Sequence, residues 1–341
     1  MCMNSEKNTR VEWIDFAKCI AIMLVIIGHV LSWYHPRYKA VYIVIYSMHM
    51  PFFFMLSGLT FRVNEEERVR DFIRYKAKKF FPPLYLFCVI DIAFQILSGK
   101  FNVSQSTKFI ISSILFVNGG AFTKYWFLPA LFVAEIILFL IFKLCKSPVR
   151  RTFATIIIGM GGGTLSYLMN YHLPFHFESA VFAVQFIYCG ILIKKALRKP
   201  VKIKTTICIA LGVAFMITNI AMLPRYSITD DFFSMTFRNP MLFLITAFSG
   251  SISLLLICSI QDRKNFFTRI GRHTLYIYGF HYSILGILRK MDYKILHLQS
   301  YLPDFVLALI EVSVTLLVAY FCAELWIYFL NMRRQKLKIK T

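Results

Sequence analysis

Lys18 and His29 stand eleven positions apart in the apolar stretch DFAKCIAIMLVIIGHV, residues 15–30. On a helix turning about 100° per residue their side chains fall within about 20° of each other, separated by about 16 Å along the axis. Asp15 lies one turn before Lys18 on a neighbouring line. One stripe thus carries a carboxylate and an ammonium near one end and an imidazole deep in the apolar run. Ionisable groups at membrane depth are costly unless they face a partner or a cavity. The plain reading is an Asp15–Lys18 pair at i, i+3 and a packed interfacial histidine. The chemical reading is a cation for an anionic ligand and a histidine base poised near neutral pH.

The surrounding elements follow from composition. Of 341 residues, 58% are hydrophobic and 16% charged, and the mean hydropathy is +0.61. The apolar residues fall into blocks matching bilayer-spanning helices of about 20 residues. Ten are expected: 13–34, 41–61, 80–98, 125–144, 152–170, 178–195, 203–223, 240–260, 271–288 and 303–331. The fold class expected is an all-α integral membrane protein, a bundle of about ten transmembrane helices with cytoplasmic N- and C-termini. A single domain over 1–341 is expected, with no appended soluble domain. The first apolar stretch carries Asp15 and Lys18 and has no small-residue cleavage site, so it does not read as a cleavable signal peptide.

The net charge of +22 first suggests nucleic acid, but its distribution argues against that partner. With the N-terminus inside and ten crossings, 28 of the 39 Lys and Arg fall in inner segments and 10 in outer loops, Lys18 being the remainder. That asymmetry is the positive-inside pattern, and the inner cations suit anionic lipid. The eight cysteines form no C-x-x-C pair. Those in the apolar spans, such as Cys19, Cys88, Cys189 and Cys258, read as small hydrophobes, and no metal site is expected. Residues 99–124 read as an outward loop with a re-entrant or interfacial element. The segment EEERVRDFIRYKAKKF reads as an amphipathic cytoplasmic helix.

Other polar residues sit inside apolar blocks. His49 lies beside Pro51, which removes a ladder hydrogen bond, and irregular backbone at membrane depth is tolerated where it lines a cavity. Glu135 is a carboxylate able to orient a histidine base. Tyr125 and Trp126 are either interface-belt aromatics or a sugar platform. His281 with Tyr278 has no assigned role, and Asp91 and Glu311 are left without one.

Several blocks together resemble the membrane-bound acyltransferase-3 family, and within it the fucose 4-O-acetylase-like group. That family opens on a basic residue, ten residues, then histidine; here Lys18 and His29 fill the pattern. Arginine is usual at the basic position, so Lys18 keeps the charge but loses the planar fork that grips phosphate bidentately. YSMHMPFFFMLSGLTF, with His49, Pro51, Ser57 and Gly58, is similar to the family's second-helix block. KAKKFFPPLY resembles its R-x-x-R-x-x-P entry, with Lys76 and Lys79 where arginines are usual. KYWFLPALFVAE, HLPFHFESAVFAVQFIYCG and IGRHTLYIYGFH match three further blocks in the right order.

The resemblance implies transfer of an acyl group, usually acetyl from acetyl-CoA, to a hydroxyl of a carbohydrate: a surface polysaccharide or a lipid-linked glycan. His29 is then the expected base, with Glu135 as its orienting partner. Lys18, Asp15, Lys76 and Lys79 are the expected acyl-CoA contacts. His49, Ser57, Trp126 and His281 are expected to line the site or meet the acceptor. Acyl-CoA enters as a co-substrate, with no permanently bound cofactor. The expected location is the bacterial inner (cytoplasmic) membrane. A polysaccharide or glycolipid transporter or flippase is the second reading. Transporters often carry related halves with broken helices in corresponding positions; no such repeat is visible, and the Lys18–His29 stripe sits in one apolar run.

Overall fold

The computed structural model of the chain describes residues 11–32, 38–97, 123–168, 173–197, 205–222, 231–237, 239–261 and 263–338. Their helices are α1 (Glu12–Leu31), α2 (Lys39–Thr60), α3 (Val69–Leu97), α4 (Phe127–Leu144), α5 (Pro148–Leu168), α6 (Phe177–Leu197), α7 (Thr205–Met222), α8 (Pro240–Cys258), α9 (Phe266–Arg272), α10 (Thr274–Met291) and α11 (Asp304–Lys338). Among the described residues the β-pairing is one isolated bridge, Asp231 to Thr236. The all-α class is therefore observed.

Seven helical stretches are long and apolar enough to cross a membrane: Glu12–Leu31, Lys39–Thr60, Val69–Ile96, Phe127–Leu144, Pro174–Lys195, Pro240–Cys258 and Asp304–Met332. The protein is a multi-pass membrane protein. The other three expected spans are also helical but shorter or less apolar. In α7 the apolar stretch is only Ile209–Ala221. The expected span 271–288 is divided at His273 into the short α9 and α10, and His273 Nε2 is held 3.1 Å from Glu324 of α11. The expected element in 99–124 lies outside the described residues except for Thr123 and Lys124.

Prolines lie inside two of these helices. Pro82 and Pro83 lie inside α3, and the expected cytoplasmic helix runs on through them into the span as one helix. Pro51 likewise sits inside α2. Each proline removes a donor, but neighbouring helices and local adjustment re-satisfy backbone groups, which is why proline is tolerated in membrane helices.

Helices in lipid gain little from apolar burial against each other, so close backbone approach through small residues decides packing. α2 and α6 cross at Gly58 and Gly190: a Cβ on Gly58 would collide with the Ile187 carbonyl, and one on Gly190 with the Met55 carbonyl. The α9 residue Gly271 is pressed in the same way against the Asp15 carbonyl of α1. Polar groups add interhelical hydrogen bonds. Asn219 of α7 donates to Ser47 Oγ of α2 and to the Thr246 carbonyl of α8, at 3.1 and 2.9 Å. α1 packs against α2, α8, α9, α10 and α11, which makes it an inner helix and buries Ala17, Ala21, Ile22, Val25 and Ile26.

Candidate active site

The N-terminal end of α1 gathers charge. Buried Asp15 lies 3.6 Å from Lys18 Nζ and 3.4 Å from Arg272 Nε. Arg272 also donates to both carboxylate oxygens of Glu12, at 2.6 and 2.9 Å. The close approach at Gly271 sets this geometry, because it seats the last turn of α9 on the first turns of α1. Asp15 and Lys18 thus form the i, i+3 pair of the plain reading, but Arg272 shares the carboxylate, and the Lys18 side chain remains 27% exposed.

Next to this lies a second charged group. Lys76 of α3, 5% exposed, is 2.8 Å from Glu135 Oε2 of α4. Ser57 Oγ of α2 donates to Glu135 Oε1 at 3.1 Å. The Lys76 ammonium also sits 5.1 Å from the ring centroids of Phe61 and Phe72, within range of a cation–π attraction. Lys79 is within electrostatic reach of Glu135, Lys76 and Lys18. The structure thus brings together Lys18, Lys76, Lys79, Glu135 and Ser57, residues from four helices. It places Glu135 with Lys76 and Ser57 rather than beside His29; α4 packs on α3, α5 and α6.

His29 stands near the other end of α1, about 16 Å from Lys18 along the unbroken helix. Its ring is partly buried. It stacks on His281 of α10 with centroids 5.4 Å apart and meets the Tyr282 ring edge-on at 5.2 Å. His49 of α2 is within its electrostatic reach. His281 Nδ1 is 2.6 Å from the Tyr278 carbonyl, and His49 Nδ1 is 2.8 Å from the Ile45 carbonyl. A carbonyl only accepts, so in both rings Nδ1 carries the proton, and in the neutral imidazole Nε2 then holds the lone pair. His281 Nε2 is buried with no hydrogen-bond partner. Three of the singled-out histidines, from separate helices, therefore converge.

Sequence reasoning missed the groups that frame this cluster. Arg289 donates to the His29 carbonyl at 3.1 Å and lies 3.5 Å from Glu311. A cation at a helix C-terminus stabilises the carbonyls left over there. Lys124 is 2.6 Å from buried Asp91, which also accepts from Gln95, and its ammonium lies 4.9 Å from the Tyr282 ring centroid. The carboxylates Asp91 and Glu311 were the available signal: a lone acid in an apolar span implies a cation partner, but linear order did not identify it.

Trp126 packs inside the protein. It is 9% exposed and packs on Phe232 and Phe233 of the 231–237 turn and on His176. Tyr125 is fully buried. Among the described residues no group of three or more His, Cys, Asp and Glu is arranged to hold a metal ion.

A family model described as an acyltransferase domain matches residues 11–324. The chain is similar to the nodulation protein NolL of Mesorhizobium japonicum, 27% identical over 195 residues, covering 52% of this chain and 48% of that protein. It is also similar to the nodulation protein NolL of Sinorhizobium fredii, 29% identical over 195 residues, covering 52% of this chain and 50% of that one. The chain thus spans about half the length of the curated relatives it matches. No solved structure matches.

Proposed function

The chain belongs to the acyltransferase-3 family, and from that premise we propose that it is an integral-membrane O-acyltransferase. It moves an acyl group, acetyl by preference, from cytoplasmic acyl-CoA to a hydroxyl of a carbohydrate, a surface polysaccharide or a lipid-linked glycan. The observation that carries this reading is the length of α1. One unbroken helix holds an accessible ammonium, Lys18, at one end and the His29 cluster near the other, on one face.

A hydroxyl is a weak nucleophile near neutral pH and needs a base. The acceptor oxygen bonds to the thioester carbonyl carbon while its proton passes to His29. The tetrahedral intermediate then collapses, the C–S bond breaks, and the histidinium returns the proton to the departing thiolate. The products are an O-acyl ester and CoA thiol. Lys18 and Lys79 meet the anionic part of the donor, and the pantetheine arm extends along α1 towards His29. Asp15 holds Lys18. Glu135 and Ser57 hold Lys76, which makes Lys76 a charged wall of the donor site.

Several features support the arrangement in the bilayer. Ten helical crossings with both termini cytoplasmic accord with the distribution of Lys and Arg, and a bacterial cytoplasmic membrane supplies acyl-CoA on that side. The test uses inverted membrane vesicles holding the protein, given radiolabelled acetyl-CoA and the host's glycolipid and polysaccharide fraction. Base-labile label on glycan is expected with the unaltered protein, lost in His29→Ala, and reduced in Lys18→Ala when acetyl-CoA is below saturation, all at matched protein levels. Equal behaviour of all three, with glycan translocation depending on the protein, would replace this reading by transport.

A further inference from the structure

A histidine base in acyl transfer is usually oriented by a third group that accepts a hydrogen bond from its second nitrogen. Glu135, the sequence's candidate for that task, is engaged with Lys76 and Ser57. Next to the His29 ring the structure has another acceptor. His281 is 1% exposed, its Nδ1–H is tied to the Tyr278 carbonyl, and its Nε2 lone pair is buried with no donor. A buried acceptor without a partner is rare and calls for an explanation. Stacked at 5.4 Å between centroids, the rings can exchange stacking for an N–H···N hydrogen bond if His29 turns about χ2, a soft torsion for an imidazole, while His281 stays tied to the Tyr278 carbonyl.

We propose that His281 is the positioning residue of His29, accepting a hydrogen bond at Nε2 from the His29 imidazolium formed when the acceptor hydroxyl gives up its proton. The proposal rests on the acyltransferase reading for its role in turnover, but the His29–His281 coupling itself does not. The proton arrives on one nitrogen of His29, and the N–H on the other donates to His281 Nε2. When the thiolate leaves, the same proton returns to sulfur and His281 is again an acceptor without a donor. The Tyr278 carbonyl fixes the tautomer throughout: an Nδ1–H that is already hydrogen-bonded cannot present its proton to His29, so the nitrogen facing the site stays basic. The charged groups nearest the ring pair are themselves paired, Arg289 with Glu311 and Lys124 with Asp91. Among the described residues, other titratable rings at the cluster include His49, Tyr282 and Tyr278, with Tyr46 packed on His49.

The decisive comparison is His281→Phe against His281→Gln, in the full-length protein in lipid nanodiscs. Phenylalanine keeps the ring and loses the acceptor; glutamine keeps a neutral acceptor near Nε2. His281→Phe is expected to lower kcat on the order of 100-fold with the KM for acetyl-CoA unchanged, and His281→Gln to recover most of the loss. In parallel, 15N NMR of histidine-labelled protein reads the His29 titration directly, without turnover. A shifted His29 midpoint in His281→Phe, restored towards the original in His281→Gln, is the expected result. An unmoved His29 midpoint in His281→Phe overturns the proposal. Glutamine as damaging as phenylalanine in both readouts also overturns it, because ring packing would then be the whole effect. A shifted midpoint in a protein that transfers no acyl group would sink the functional reading and leave the His29–His281 coupling standing.

Discussion

Lys76 Nζ lies 2.8 Å from Glu135 Oε2, with both side chains almost fully buried. An ion pair at such depth is costly to form and costlier to break, because removing one member strands the other.

Glu135→Ala should therefore destabilise the protein by about 3–5 kcal/mol, read as a lower melting temperature in detergent. The double variant Lys76→Met, Glu135→Leu should recover much of that loss, since neither charge remains. An unchanged melting temperature in Glu135→Ala would mean that the pair is more hydrated than its burial implies.

The cations of the donor end should divide by exposure. Lys18 is 27% exposed at its side chain and Lys76 only 6%. Lys18→Ala should raise the KM for acetyl-CoA about tenfold, equivalent to about 1.4 kcal/mol, and weaken its salt dependence. Steady-state kinetics at two ionic strengths check this. A Lys18→Ala enzyme with the original KM and salt dependence would remove Lys18 from the donor site.

Arg289 holds the end of α1 at the His29 carbonyl while lying against Glu311. Arg289→Ala should lower kcat more than it changes KM, because His29 loses the anchor of its backbone. Arg289→Lys, with a single charged group in place of the fork, should fall between. Equal loss in kcat and acyl-CoA affinity would instead place Arg289 in the donor site.

The α2–α6 crossing leaves no room for a side chain at Gly58 or Gly190. Gly58→Ala and Gly190→Ala should each cost about 1–3 kcal/mol or more, because the obstacle is backbone rather than a movable side chain. Reduced folded yield and a lower melting temperature are the expected readouts. Gly161→Ala is the control, since a Cβ there meets nothing within 4 Å.

Glu65 ties the segment after α2 to α5. Arg151 donates to it at 2.6 Å and Lys146 at 3.3 Å. These hydrogen bonds, that of Arg151 foremost, hold its carboxyl below the ordinary value of 4.5. With the folded value depressed, the tie is fully present above 4.5 and lost as pH falls through the lower folded value. Glu65→Gln should therefore speed amide hydrogen exchange in 61–68 at pH 7, whereas the unaltered protein should loosen there only under acid conditions. Identical exchange in the two proteins at pH 7 would show that the tie does not order the segment.

The sequence by itself determined the class and the ingredients. Hydrophobic blocks of bilayer length specify membrane helices because backbone polar groups must be satisfied internally in lipid. The order of the apolar blocks matches the observed order of helices. The Lys18–His29 stripe was legible because both residues lie on one helix, whose period alone relates them. Tertiary structure decided everything that lies between helices. Glu135 looked like a partner for His29, but which carboxylate meets which cation depends on which helices pack, and α4 packs on α3. Arg289, Lys124 and Tyr282 reach the His29 cluster across chain separations for which no periodicity gives a sign. The tautomer of His281 depends on one backbone carbonyl a turn earlier. The amphipathic segment merges into α3 through two prolines, a continuity that linear patterning did not give. Linear patterning reports what a residue prefers as solvent. It does not report the second helix that supplies a partner, and at this site partners set the chemistry.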